Sequence, residues 1–241
     1  LGVDDVFVTS VEGLHTPVVF CEIYPPDRFP LYFYRDPIAP DLVISAQSLH
    51  HGAIHNAKVF WATVTGLSQE PSRSAHFVAW QVRERRPFTV LDLDYRSMFW
   101  PTPLDARRQI DAALEQVTIA VGNQEECEVA VGELDPVRAA DALLDRGIEL
   151  AVVKQGPRGV LAKTRNETVE VLPMPVNVVN GLGAGDGFGG ALCHGLLEGW
   201  PLQRVIEFAS AAGAIVAGRR ECSTAMPTTV EVDDAIARGH A

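Results

Sequence analysis

After Pro40 the chain repeats one pattern: a short apolar run, a turn, and then a stretch whose apolar residues recur at helical spacing. Val59-Thr63, Phe88-Leu93, Val117-Val121 and Leu150-Val153 are the strand candidates. Between them, Ser72 is the expected cap of a helix that turns Ala75, Val78, Ala79 and Val82 to one side. The clearest helix is Pro136-Arg146, with Asp135 as cap, proline at the first position, Val137, Ala140, Leu143 and Leu144 inward, and Gly147 beyond the end. Gly159-Ala162 and Thr168-Val171 flank a polar tip and predict a hairpin. Further helices are expected from near Asp186, from near Leu202 and over Val230-Ala237. Strands alternating with helices imply an α/β fold with a mostly parallel sheet and helices on both faces. Ligands of such sheets bind at the carboxyl ends of the strands.

The region before Pro40 differs. Val6-Val11, Thr16-Tyr24 and Leu31-Arg35 are rich in strand formers and separated by Glu12-Gly13 and Pro25-Pro26-Asp27, which predicts a small antiparallel meander. A chain of 241 residues with 47% hydrophobic content has room for one sizeable core and a small appendage. The formal charge of -11 disfavours nucleic acid and membrane surfaces as partners. Cys21, Cys127, Cys193 and Cys222 lie far apart, without the paired spacing of a zinc or redox site. His50, His51 and His55 have no carboxylate or cysteine at ligand spacing and read as a polar, partly exposed segment. With no run long and apolar enough to span a bilayer, the expectation is a soluble, cytoplasmic protein.

The chemistry concentrates in Val176-Trp200, where an apolar run meets a glycine-rich turn and then a helix. Glycines let backbone amides approach a ligand, and a helix start directs unsatisfied N–H groups at an anion. Gly183-Ala184-Gly185 therefore forms a candidate anion hole. Asp186 falls where the helix begins, and the helix dipole should keep it ionised and able to accept a proton. A carboxylate beside an anion hole suits phosphoryl transfer to an alcohol. The same residues also suit a tightly packed turn in which Asp186 is only a cap.

Leu182-Gly183-Ala184-Gly185-Asp186-Gly187-Phe188 resembles the C-terminal signature of the PfkB/ribokinase family of carbohydrate kinases, whose core is GAGD. Where the family often has Asp-Thr ahead of it, this chain has Asn180-Gly181, which bears on any metal or phosphate role of the first position. Asn123-Gln124-Glu125-Glu126 resembles the family's N-x-x-E motif, which implies Mg²⁺ and phosphate organisation through Asn123 and Glu126. By composition alone the two read as a helix cap and a solvated helix residue. Val153-Val160 resembles the strand-to-hairpin segment beside the nucleotide, with Lys154, Gly156 and Gly159 as the implied contacts. Ala209-Ala214 is similar to the small-residue helix at the adenine pocket, implying Ala212 and Gly213 there.

The resemblance implies a ribokinase-like fold with ATP and Mg²⁺ as cofactors. Residues 1-36 would be part of a β-strand lid and 37-241 the α/β kinase core, with a homodimer through the lid as a possible assembly. Family members begin with a strand and a substrate motif that do not precede Leu1, so the N-terminal part of the fold is expected to be absent from this sequence. Phe20-Pro30, Phe33-Tyr34-Arg35, Asp92-Arg96 with Trp100, and Glu221-Pro227 resemble the 5-dehydro-2-deoxygluconokinases of inositol catabolism. The resemblance to 2-keto-3-deoxygluconate kinases is looser. It implies that Arg35 and Arg96 meet a sugar-acid carboxylate, which guanidinium groups bind through paired hydrogen bonds. From the residues alone, Arg35 ends an exposed lid strand and Arg96 pairs with Asp92 or Asp94. The expected activity is phosphorylation of a primary hydroxyl of a sugar or keto-sugar acid. Fructokinase, ribokinase and a catalytically silent sugar-binding regulator are the alternatives.

Overall fold

The structure is a computed structural model and describes residues 2–26, 28–36 and 38–239. Leu1, Asp27 of the expected Pro25-Pro26-Asp27 turn, and Pro37 and Ala241 at the bounds of the expected core lie outside the described residues.

Two sheets are present. The small one pairs β1 (Val18–Cys21) with β2 (Leu31–Tyr34) antiparallel, Val18 opposite Tyr34 and Cys21 opposite Leu31. The expected strand at Val6-Val11 is not formed, so the meander is a single hairpin. Phe7 of that segment packs instead against His50, with ring centroids 4.9 Å apart.

The large sheet has the order β3 (Phe60–Thr63), β4 (Thr89–Asp92), β5 (Ile119–Asn123), β6 (Leu150–Lys154), β7 (Val160–Lys163), β8 (Thr168–Val171). The first four strands run parallel and the last two turn back as an antiparallel hairpin. Helices α1 (His51–Asn56), α2 (Ser72–Arg83), α3 (Pro103–Leu114), α4 (Gln124–Val131) and α5 (Pro136–Asp145) precede or separate these strands, and α6 (Ala184–Leu197), α7 (Leu202–Ala217) and α8 (Thr229–Gly239) follow them. None of the described helices is long and apolar enough to cross a membrane.

Each central strand is apolar throughout because both its faces are covered. Leu91, Ala120, Ala151 and Val153 point into a core built with Trp80, Ile110, Leu114 and Leu143. Their neighbours Val90, Ile119, Val121 and Val152 point the other way, against Phe188, Leu192, Ile206 and Phe208 of α6 and α7. A period of two thus distributes one strand between two layers.

Local signals hold where the chain has its own caps. Asp135 accepts from the Arg138 N–H at 2.9 Å and Pro136 opens α5, although Val137 is exposed and Ala139 takes the inward place. Thr102-Pro103 starts α3 by the same device, the Thr102 Oγ1 accepting from Asp105 N–H at 3.2 Å. Ser72 does not cap α2. It is the first helical residue, buried beside His76, and Pro71 holds the cap position without a side-chain bond. Cys21, Cys127, Cys193 and Cys222 are free thiols, as their spacing implied.

Candidate active site

The parallel register brings Asp92, Asn123 and Lys154 to the same end of the sheet, at the carboxyl ends of β4, β5 and β6. Facing them is the start of α6. Gly183 is its cap, at φ +84°, and gives no side-chain bond to the first turn. The Leu182 N–H donates to Asn180 Oδ1 and the Ala184 N–H to the Gly181 carbonyl, at 3.0 and 3.3 Å. The amides of Gly183, Gly185 and Asp186 have no acceptor among the described residues. The anion hole expected at Gly183-Ala184-Gly185 therefore has open donors at Gly183, Gly185 and Asp186, whereas Ala184 spends its own on the turn.

Lys154 completes the positive side. Its Nζ lies 3.8 Å from the place a Cβ on Gly185 would occupy. An ammonium beside free helix-start amides is an anion site from two independent sources of charge.

Asp186 remains exposed to solvent. Partial desolvation by the surrounding protein, followed by the Asp94 carboxylate, pushes its pKa above the ordinary aspartate value, while Lys154 and Arg96 pull it down. The helix start alone suggested a simply ionised acid. Its surroundings instead make it a stronger proton acceptor than an isolated aspartate. Asp92 and Glu126 are also raised, in both cases chiefly by burial and against the pull of Lys154. Four carboxyl groups and two cations thus share one electrostatic neighbourhood.

Asn123 and Glu126 form a reciprocal capping box at the start of α4: Glu126 N–H donates to Asn123 Oδ1 at 2.8 Å, and Asn123 N–H to Glu126 Oε2 at 2.7 Å. Glu126 is only 6% exposed, so it is not the solvated helix residue that its composition suggested. Among the described residues no group of three or more His, Cys, Asp or Glu forms a ready metal cage.

Arg96 lies within the field of Asp186, its Nη2 2.5 Å from Asp94 Oδ1. Arg35 sits apart, its Nη2 2.5 Å from Asp41 Oδ2 and its guanidinium over the Phe99 ring. Phe99 is in the 3-10 turn that follows Arg96.

The remaining nucleotide candidates divide. Gly156 has φ +57° and open space at its Cα. Gly159 also has positive φ, but its Cα abuts the Val171 carbonyl, so its glycine is required by the hairpin itself. Gly213 likewise presses its Cα on α6: a Cβ there would stand 3.0 Å from the Ala184 carbonyl oxygen. Ala212 is buried between the same helices. The neighbouring Ser210 and Ala211 face a different space, a groove of ≈ 290 Å³ closed by Val171-Pro175.

Asn180-Gly181 acquires a physical explanation. Buried Asn180 donates from Nδ2 to the Arg220 carbonyl at 2.9 Å and accepts from Leu182 N–H, tying the turn to the end of α7. Gly181 leaves room for Phe29, between β1 and β2, whose Cδ2 would be 2.9 Å from an added Cβ.

The sequence matches the pfkB family carbohydrate kinase profile over residues 1–229. The chain belongs to the pfkB family of carbohydrate kinases. The 5-dehydro-2-deoxygluconokinase of Geobacillus thermodenitrificans is 32% identical over 235 residues, covering 95% of this chain and 69% of that protein. Fructokinase from Xylella fastidiosa with bound ATP superposes with a TM-score of 0.82 at 21% identity, over 96% of this chain and 76% of that one. A protein of E. coli described as ribokinase II, in complex with ATP and Mg²⁺, gives a TM-score of 0.78 at 24% identity over 87% and 68%. At these identities the two structures establish the fold, which is ribokinase-like as expected.

Within this family frame, sequence reasoning missed Thr65 and the Ser210 groove, while the pairing of Arg96 with Asp94 is one that the residues themselves allowed. Asp94 carried a usable signal: it stands two residues beyond Asp92, where an apolar parallel strand gives way to polar residues at its carboxyl end. Thr65 carried none.

Proposed function

We propose that this protein transfers the terminal phosphoryl group of ATP to a primary hydroxyl of a keto-sugar acid, with 5-dehydro-2-deoxygluconate as the favoured substrate. The observation that carries this reading is solvent-accessible Asp186 in the first turn of α6, among amides without acceptors in the described residues and beside the Lys154 ammonium. Asp186 accepts the proton of the attacking hydroxyl. The open amides and Lys154 hold negative charge on the phosphoryl group as it moves.

The purine fits the groove between Val171-Pro175 and α7, with Ser210 as its polar wall, and the phosphates run from there past Gly156 toward Gly183-Asp186. Magnesium suits a site with excess carboxylate and no cage, since it keeps several waters and needs few protein ligands. Glu126, through the oxygen left over from its capping bond, and the adjacent Asn123 would hold it, and it would neutralise phosphate charge. The E. coli ribokinase II structure holds ATP and Mg²⁺ and the Xylella fructokinase holds ATP, which supports this assignment.

The substrate assignment rests on the names of the sequence relatives and on Arg96 within reach of the Asp186 field. Arg35, over the Phe99 ring, is the second candidate for the sugar carboxylate. One observation favours a neutral sugar instead: each arginine already faces a protein carboxylate, Asp94 or Asp41.

A coupled ADP-release assay with Mg-ATP against 5-dehydro-2-deoxygluconate, 2-keto-3-deoxygluconate, fructose and ribose separates these readings. Preference for the first is the expected result, and preference for a neutral sugar removes the carboxylate argument. Asp186→Asn should lower kcat by at least about 10²-fold while nucleotide binding persists. Near-normal turnover in that variant would overturn the assignment of the base.

A further inference from the structure

We propose that Asp94 is a positioning residue for the transfer: locked by Thr65, it holds the Arg96 guanidinium beside Asp186 so that the remaining N–H groups of Arg96 face the sugar. The proposal rests on the reading that Arg96 receives the substrate carboxylate.

The chain of contacts starts in the core. Val64 and Leu67 are fully buried and fix the 3-10 turn that carries Thr65, directly after β3. Thr65 Oγ1 lies 3.1 Å from Asp94 Oδ2 and 3.1 Å from the Asp94 carbonyl oxygen. The Asp94 N–H donates to Asp92 Oδ1 at 3.3 Å, so the backbone is held from the other side by the end of β4. The single hydroxyl proton of Thr65 is shared between Oδ2 and that carbonyl, and Oδ1 is left for Arg96 Nη2, at 2.5 Å. Both oxygens of one carboxylate are thereby used in fixed directions.

That arrangement matters for an arginine in a loop. Arg96 is 38% exposed and makes no other polar contact among the described residues. Asp94 engages one nitrogen and leaves the rest of the fork for a second carboxylate, which is the geometry in which arginine recognises carboxylates through paired bonds.

Asp94 has a second consequence through charge. The groups that act on Asp186 are Asp94, Lys154 and Arg96, and Asp92 and Cys222 feel its charge in turn. Asp94 opposes the two cations. Removing its charge while keeping its shape leaves Lys154 and Arg96 unopposed, so Asp186 holds its proton less tightly. A base is active when deprotonated, and the acidic limb of the rate profile then moves to lower pH.

The test is steady-state kinetics with the keto-sugar acid and, in parallel, fructose, on D94A, D94N, T65V and R96A. D94A should raise KM for the acid about tenfold, with kcat changed less and KM for fructose unmoved. D94N keeps its one amide oxygen for Arg96 and can donate from its NH2 to the Thr65 hydroxyl oxygen. It should restore KM to within about threefold of the parent, with the acidic limb of kcat moved to lower pH. If R96A raises KM for the acid and D94A does not, Asp94 has no positioning role and the carboxylate reading stands. If R96A leaves that KM unchanged, the carboxylate reading fails and this proposal with it. Should D94A not fold, T65V removes only the anchoring hydroxyl, and an unchanged KM for the acid in T65V overturns the proposal.

Discussion

Replacing Lys154 by methionine tests the electrostatics of the site with little change of shape. Lys154 ends β6, its Nζ beside Gly185, and it is the one cation that pulls down the pKa of all three carboxyls Asp92, Glu126 and Asp186. A hydrogen bond to a charged group contributes about 1.5–3 kcal/mol. Losing one to the nucleotide phosphates should therefore raise the KM for Mg-ATP by roughly 10- to 100-fold, at about 1.4 kcal/mol per decade. The pH profile moves as well. Partial desolvation holds Asp186 above its ordinary value and Lys154 opposes that shift, so removing Lys154 raises the Asp186 pKa further. Activity requires the deprotonated base, so the acidic limb of kcat shifts to higher pH, opposite in sign to the shift expected for D94N. The assay is kcat and KM for Mg-ATP from pH 5 to 9, with thermal unfolding as a control for folding. An acidic limb that stays in place or moves down would refute the assignment of Lys154 to the field of Asp186. An unchanged KM for Mg-ATP would separate it from the phosphates.

Two further predictions concern the lid. Gly181→Val should displace the Phe29 ring, costing about 1–3 kcal/mol of stability and raising KM for the sugar. Phe29→Ala should recover part of that loss in a thermal unfolding series, and full additivity of the two changes would show that the residues do not meet. The hairpin β1-β2 exposes Val18, Val19, Phe20, Tyr32 and Tyr34, an apolar surface suited to a second copy of the chain. Light scattering should find a dimer that Phe20→Lys converts to monomer, and a monomeric parent protein would exclude pairing through the lid.

Much of the fold was legible because its causes are local. Asp135-Pro136 starts α5, the apolar runs at β4, β5 and β6 read as buried strands, and Thr168–Val171 falls where turn residues bound it. Where the sequence misled, a distant partner was responsible. Ser72 reads as a cap, but His76 and the buried surroundings claim it. Glu126 reads as a surface acid, but the capping box and the sheet bury it.

The site divides along the same line. By itself the sequence determined the glycine turn, the aspartate that begins its helix, and the strand ends that should face them, because turn geometry and helix starts depend on adjacent residues. Only the tertiary structure decided which charges share that turn. Lys154 reaches Gly185 across 31 positions, Thr65 reaches Asp94 across 29, and Phe29 finds the gap left by Gly181. Strand order and register bring these groups together, and they follow from how a whole sheet buries both faces, a property that no short stretch of residues encodes.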